Sequence, residues 1–174
     1  MTPFRRAAGT VLLALVATGC GQAETGVPQA TDRCGEVTFP QVQFGSHLLG
    51  DSDPPVPYSS TPPTSGWHLS GAPPQGVFDD PLSEPAQVSA LEAGGVVVTH
   101  HDLPADELAA LTAAVEERWA DRVVVTPYDG ISPGTTAFTS WGAMQTCDGV
   151  DLDALASYTG AYASTDQPHH PDSG

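Results

Sequence analysis

Two runs of three valines constrain the fold of this chain more than any other feature. The first, "GGVVVT", covers residues 94–99, and the second, "RVVVTP", covers residues 122–127. Short, unbroken β-branched runs are typical of strands that are buried on both faces. We therefore expect two central strands of one sheet, each covered by other parts of the domain.

The segment between the valine runs has the pattern of an amphipathic helix. Pro104 suits its first turn. Four apolar residues then recur at helical spacing: Leu108, Leu111, Val115 and Trp119. A strand, a helix and a second strand over this length predict a right-handed βαβ unit.

Two more regular elements are predicted after this unit. Residues 135–140, "TTAFTS", follow a turn and favour a third strand. Asp151 has the position of an N-cap for a last helix over residues 152–162.

The first half of the domain is irregular. Residues 36–44, "EVTFPQVQF", alternate enough to predict one or two brief strands, interrupted at Pro40. Residues 53–85 read as a long proline-rich loop, either functional or simply a wrapped coil braced by a disulfide. The prediction is a single α/β domain, with α+β as the alternative. It has a small mixed sheet, one βαβ unit, a C-terminal helix and a long Pro/Gly-rich loop region.

The N-terminus has the features of an export signal. Arg5 and Arg6 precede an apolar run at residues 7–17, which is too short to span a bilayer. Small residues then lead into Cys20, as in a bacterial lipobox, which predicts lipid modification of Cys20, including palmitate. The alternative is a plain signal peptide without lipid.

These signals divide the chain into four parts. Residues 1–19 are the predicted lipoprotein signal peptide, and residues 20–33 a lipidated tether. Residues 34–163 are the predicted globular domain, and residues 164–174 a disordered tail. We expect the protein to be held at the cell membrane by its lipid, on the extracytoplasmic face.

The cysteine count adds a covalent prediction. If Cys20 carries lipid, Cys34 and Cys147 remain, and two cysteines in an oxidising compartment usually pair. The alternative is two free buried thiols.

The charge of the chain is strongly acidic. All 21 Asp and Glu residues follow the leader, whereas only three arginines do, so the exported chain has a net charge near −18. Such a surface repels phosphate backbones and anionic headgroups. Nucleic acid is therefore not an expected partner, and a membrane link must come from the lipid.

Several short motifs give the chain a family resemblance. They are His47, Tyr58, "PPTSGWH" (residues 62–68), "LEAGGVVV" (91–98), "TPY" (126–128) and "TSWG" (139–142) with Cys147. On these motifs the chain resembles the bacterial domain-of-unknown-function family 3105, whose members are secreted or membrane-anchored. The family pattern His-x-Leu-Glu-His-Gly is altered here, because Ser89 and Ala93 stand where it has histidines.

The candidate metal ligands are His47, His68 and Glu92, with copper or zinc as the ion. On a helical turn, two imidazoles four residues apart beside a carboxylate would form a metal or acid–base site, but this chain keeps only Glu92. The alternative role for His68 is structural, through a hydrogen bond to backbone that ties the long loop to the domain.

Other candidate residues are weaker. His100 and His101 follow a predicted strand, where open α/β sheets bind ligands, but neighbouring strand residues point to opposite faces. His169 and His170 lie in the predicted tail. A serine hydrolase would need Ser65 or Ser89 with His68 and Glu92, yet no nucleophile-elbow motif is present.

The sequence thus predicts a non-catalytic binding or interaction module, with no catalytic residues and no required cofactor. The alternative is a copper- or zinc-binding envelope protein. An enzyme without strong local motifs is the third hypothesis.

Overall fold

The computed structural model describes residues 26–50 and 52–164. The predicted signal peptide, Cys20 and most of the predicted tail therefore lie outside the described residues. Ten elements follow in chain order: β1 (His47–Leu48), β2 (His68–Leu69), β3 (Gly76–Val77), α1 (Glu84–Glu92), β4 (Val96–His101), α2 (Ala105–Arg118), β5 (Val123–Pro127), β6 (Thr135–Ser140), β7 (Ala143–Asp148) and α3 (Leu152–Tyr162).

The main sheet is mixed and has the strand order β3-β5-β4-β6-β7. β3, β5 and β4 are parallel, whereas β6 runs antiparallel to both β4 and β7. The parallel pair β4 and β5, joined through α2, confirms the predicted βαβ unit and the α/β class. β1 and β2 form a separate two-stranded parallel sheet.

The central valines are covered on both faces of the sheet. Val96 and Val98 pack on one face with Leu111 of α2 and Leu155 of α3. Val97, pointing the other way, packs with residues of α1. Strand alternation thus places two helices on one face and α1 on the other, as the all-valine runs predict.

Both predicted helix starts lie close to the observed ones. Pro104 is the N-cap of α2, and the Asp151 carboxylate accepts a hydrogen bond from the N–H of Ala154 at 2.9 Å. The prediction of strands over residues 36–44 is wrong. Only an isolated bridge between Thr38 and Met144 forms there, because Pro40 cannot donate to a ladder.

The disulfide between Cys34 and Cys147 is present and closes a loop with a sequence separation of 113 residues. Cys34 lies opposite Cys147 on the edge strand β7, and both are buried. The bridge therefore fastens the irregular N-terminal segment to the main sheet.

Candidate functional site

His47 and His68 lie side by side although 21 positions separate them in sequence. They are register partners in the parallel pair β1 and β2, and their ring centroids are 4.8 Å apart at an interplanar angle of 74°. His47 is exposed, whereas His68 is only 1% exposed. The structure thus brings together two of the three predicted metal ligands.

The His68 ring has a defined hydrogen-bonding state. Its Nδ1 lies 2.9 Å from the carbonyl oxygen of Gly66, which can only accept, so Nδ1 carries the proton. In the neutral ring, Nε2 then bears the lone pair. That atom is buried and has no hydrogen-bond partner among the described residues. This nitrogen can accept a hydrogen bond or bind a metal ion.

The "PPTSGWH" segment that carries His68 is fastened to the domain at several points. The hydroxyl of Ser65 accepts from the N–H of Gln43 at 2.9 Å, and the Thr64 carbonyl accepts from the N–H of Gly142. The Tyr58 hydroxyl donates to the carbonyl of Trp67 at 2.6 Å. The bond to Gly66 and these contacts agree with a structural role for the loop.

Glu92, the third predicted ligand, ends α1 and is half-buried. Across residues 26–50 and 52–164, no three His, Cys, Asp or Glu side chains are arranged to hold a metal ion. Glu92 therefore does not complete a three-residue cluster with the two histidines in this conformation.

Ser89 stands at one of the two positions where the resemblance led us to expect histidine, and its hydroxyl bonds to backbone groups. It accepts from the N–H of Leu69 at 3.0 Å and lies within donating distance of the carbonyls of Leu69 and Pro85, at 2.9 and 3.0 Å. Ala93, at the second position, lines a small cavity of about 70 Å³ that Ser89 does not line. This cavity is therefore not one that the two positions share.

A serine hydrolase arrangement is also not assembled. Both candidate hydroxyls, Ser65 and Ser89, bond to backbone groups. The His68 ring bonds to Gly66, and its other nitrogen has no partner within the described ranges.

A different cleft lies at the carboxyl ends of β4 and β5. It has a volume of about 460 Å³ and an open mouth, and His100 and His101 both line it. His100 is 8% exposed, and burial, helped by the nearby His101, lowers its pKa. The Nδ1 of His101 lies 2.6 Å from the carbonyl oxygen of Ile131, which fixes that ring.

The sequence did not predict the contact between Tyr128 and Glu84 at the wall of this cleft. Tyr128, one of the lining residues, donates its hydroxyl hydrogen to the carboxylate of Glu84 at the start of α1. Burial raises the pKa of Tyr128, and Glu84 adds to the effect. Burial, with a smaller contribution from Glu84, also raises the pKa of Tyr58. The motif "TPY" was the available signal, because its tyrosine directly follows a buried strand.

Comparison with known families supports the resemblance. The profile of DUF3105, a family of proteins of unknown function, matches residues 51–174. The chain belongs to this family. No curated protein and no solved structure gives a significant match. Within the described ranges, no helix has both the length and the apolar character needed to cross a membrane.

The motifs of this DUF3105 domain meet in space around α1. Tyr58 bonds to the "PPTSGWH" segment, Ser89 bonds to the strand that follows it, and Tyr128 bonds to Glu84. In this member, the motif residues therefore hold α1 between the long loop and the end of β5.

Proposed function

We propose that this protein is a lipid-anchored, extracytoplasmic member of DUF3105 that acts by binding another protein and not by catalysis. The lipobox-like sequence around Cys20 supports the anchor and its location. The structural use of Ser89, in place of a family histidine, supports a role other than catalysis at that position.

The observation that carries the proposal is a concentration of exposed apolar side chains in the segment that follows the predicted tether in sequence. Of six large apolar side chains that are exposed in the described chain, five lie within residues 39–56. We call these five the apolar strip: Phe39, Val42, Phe44, Leu49 and Val56. Phe44 is 82% exposed and Leu49 is 87% exposed, so neither contributes to the core. Single exposed apolar residues are common on protein surfaces, but five in one segment of 18 residues favour an interaction surface.

The backbone beneath the apolar strip is held in place. The Gln43 side chain donates to the carbonyl of Pro57 and accepts from the N–H of Ser59, at 2.9 and 2.8 Å. The Ser59 hydroxyl donates to the carbonyl of Gln41 at 2.7 Å. A surface fixed in this way loses little conformational entropy when a partner binds.

The anchor is tested by fractionation and labelling in cells. The wild-type protein is expected in the membrane fraction and to incorporate labelled palmitate, whereas Cys20→Ser is expected in the soluble extracytoplasmic fraction without label. Equal membrane association and equal labelling of both proteins would contradict the anchor.

The interaction is tested by site-specific photo-cross-linking in the same cells. A photoreactive residue at Phe44 is expected to give a protein adduct of discrete mass. The control is the same residue at Ala110, which is exposed on α2. An identical adduct pattern at both positions, adducts with lipid alone, or no adduct at Phe44 would contradict the proposed protein-binding role.

Metal binding is a second candidate function, and the His47–His68 pair favours it. Paired neutral imidazoles bind Cu(II) and Zn(II), and Nε2 of His68 has its lone pair available. Glu92 would join them only after a local rearrangement, since no three-ligand cluster exists among the described residues.

This candidate is tested by titrating the full chain in non-ionic detergent with Cu(II) and Zn(II). Saturable binding at micromolar or lower concentration should be lost in His47→Ala, which changes an exposed residue, and in His68→Ala. His101→Ala is the control and should bind as the wild type does. Binding that survives in the His47→Ala/His68→Ala double variant would contradict this site.

A further inference from the structure

The cleft at the ends of β4 and β5 has the placement of a ligand site. Parallel strands end there side by side, and open α/β sheets bind ligands beyond the carboxyl ends of their strands. None of its lining residues belongs to the apolar strip. They are Pro81, His100, His101, Asp102, Leu103, Leu108, Pro127, Tyr128 and Asp129.

His100 gives this cleft a buried polar group without a hydrogen bond. Its side chain lines the cleft and the residue is more than nine-tenths buried. The imidazole makes no hydrogen bond to any residue within 26–50 or 52–164. Because burial lowers its pKa, the ring is neutral at neutral pH and offers one lone pair. A lone pair on a ring that lines the cleft can accept a hydrogen bond from a ligand there.

The charged groups around the opening are acidic. Asp102 and Asp129 both line the cleft and are exposed, and no lysine or arginine lines it. Asp102 lies 3.6 Å from Nε2 of His101, a contact that becomes an ion pair only when that ring is protonated. The net charge of the whole chain, −16, adds a long-range attraction for cations.

The wall of the cleft is rigid before any ligand binds. The Tyr128 hydroxyl is held by Glu84, and its ring lies against Gly130. A Cβ atom at Gly130 would come within 2.5 Å of the Tyr128 ring, so any larger residue there would displace the ring from its present position. The carbonyl of Ile131 fixes His101 on another side. Little ordering is therefore needed when a ligand enters.

We infer that this cleft binds an organic cation, an ammonium or guanidinium group whose N–H hydrogens reach the His100 lone pair and the carboxylates of Asp102 and Asp129. Such a group carries at least three N–H donors, enough for the three acceptors that line the cleft, and its charge matches the acidic opening. The apolar stem that carries such a group in an amine or a basic peptide fits against Leu103, Leu108 and Pro127.

The experiment measures binding of Nα-acetylargininamide, called argininamide below, to the full chain in non-ionic detergent by calorimetry. Nα-acetylcitrullinamide, called citrullinamide below, has nearly the same shape but no charge, because its α-amine is acetylated and its side chain ends in a neutral ureido group, and it is the matched control ligand. We expect saturable 1:1 binding of argininamide that is at least tenfold tighter than binding of citrullinamide. Equal affinity for the two compounds, or no saturable binding of either, would overturn the inference.

Variants then locate the site. Asp129→Asn and His100→Gln are each expected to weaken argininamide binding by at least threefold. Asp153→Asn, which removes an exposed carboxylate in the first turn of α3, is expected to leave it unchanged. If Asp129→Asn and Asp153→Asn weaken binding equally, the effect is general charge attraction and the cleft is not the site. Because Asp129 is exposed, its variant keeps the test valid even if His100→Gln unfolds.

The outcome is separable from that of the proposed interaction. If no adducts form at Phe44, argininamide binding at the cleft is still expected. If argininamide does not bind, the cross-linking expected at the apolar strip is unaffected, because the two surfaces share no residue.

Discussion

The side chain of Ser89 on α1 closes two hydrogen bonds with the backbone of Leu69 on β2, at 3.0 Å to the nitrogen and 2.9 Å to the oxygen. β2 is two residues long and pairs only with β1 in the described chain, so its outer edge needs another partner. Ser89 supplies that partner from α1. Its side chain is therefore part of the structure that holds the strand of His68.

Ser89→Ala is expected to lower the free energy of unfolding by about 1–2 kcal/mol, because the N–H and carbonyl of the half-buried Leu69 lose their hydrogen-bond partner. Ser83→Ala is the control on the same helix. Ser83 is the N-cap of α1 but is exposed and makes no capping bond through its side chain. Urea unfolding followed by far-UV circular dichroism measures both. Equal stability of the two variants would show that the Ser89 contacts contribute nothing.

Removal of the disulfide should have a larger effect. In the chain-entropy model, opening a loop with a sequence separation of 113 costs about 4–5 kcal/mol of stability. The double variant Cys34→Ala/Cys147→Ala should therefore show a much lower midpoint in urea than the wild type. The wild type after reduction and alkylation should fall to a similar midpoint. An unchanged midpoint in both samples would contradict a stabilising bridge.

The parts of the fold that were predicted correctly depend on local signals. The valines of β4 and β5 are apolar on both faces, and Asp151 is a polar cap next to an apolar helix. α1 and β7 lacked such signals. α1 buries Gln87 and Ser89, and β7 buries Gln145, whose amide donates to the carbonyl of Gly35 at 2.9 Å. Where an element buries polar residues that bond to backbone groups, hydrophobic periodicity does not reveal the element.

The candidate sites likewise include residues that a local motif identifies and contacts that no local pattern predicts. His68 and the loop that carries it could be identified from a short motif. The closeness of His47 and His68 depends on two strands of two residues each, which no periodicity can predict. The bond between Glu84 and Tyr128 joins residues 44 positions apart, and their pairing is set by how α1 docks on the end of β5. Contacts between distant segments follow from packing and not from local pattern.

The cap of α3 gives a third prediction. The Asp151 carboxylate accepts from the N–H of Ala154, which lowers the pKa of Asp151, and it also accepts from the hydroxyl of Thr31. Asp151→Ala should lower the free energy of unfolding by about 1 kcal/mol, whereas Asp151→Asn, which keeps the acceptor, should lose less. The control is Asp153→Ala, because Asp153 is an exposed carboxylate in the same helical turn. Denaturant midpoints measure all three, and a loss in Asp153→Ala as large as in Asp151→Ala would remove the cap as the cause.

The last prediction concerns acid and His100. Its pKa lies below the ordinary value of 6.5 because burial opposes the charged ring. Between the folded and unfolded pKa values, the unfolded chain binds more protons, so stability must rise with pH there. This contribution is complete above pH 6.5 and is lost as the pH falls towards the folded pKa, with a slope of at most about 1.4 kcal/mol per pH unit.

His100→Gln should flatten this part of the stability profile. The measurement is the free energy of unfolding from pH 8 to about pH 5, above the range in which ordinary carboxylates take up protons. His101→Gln is the matched control, since that ring is more exposed and bonds to Ile131. His101→Gln also removes the smaller contribution of a neighbouring imidazole, so a slight flattening is expected from it. A slope that is the same in His100→Gln and the wild type would mean that His100 does not titrate differently on folding, and the buried-imidazole account of the cleft would lose its basis.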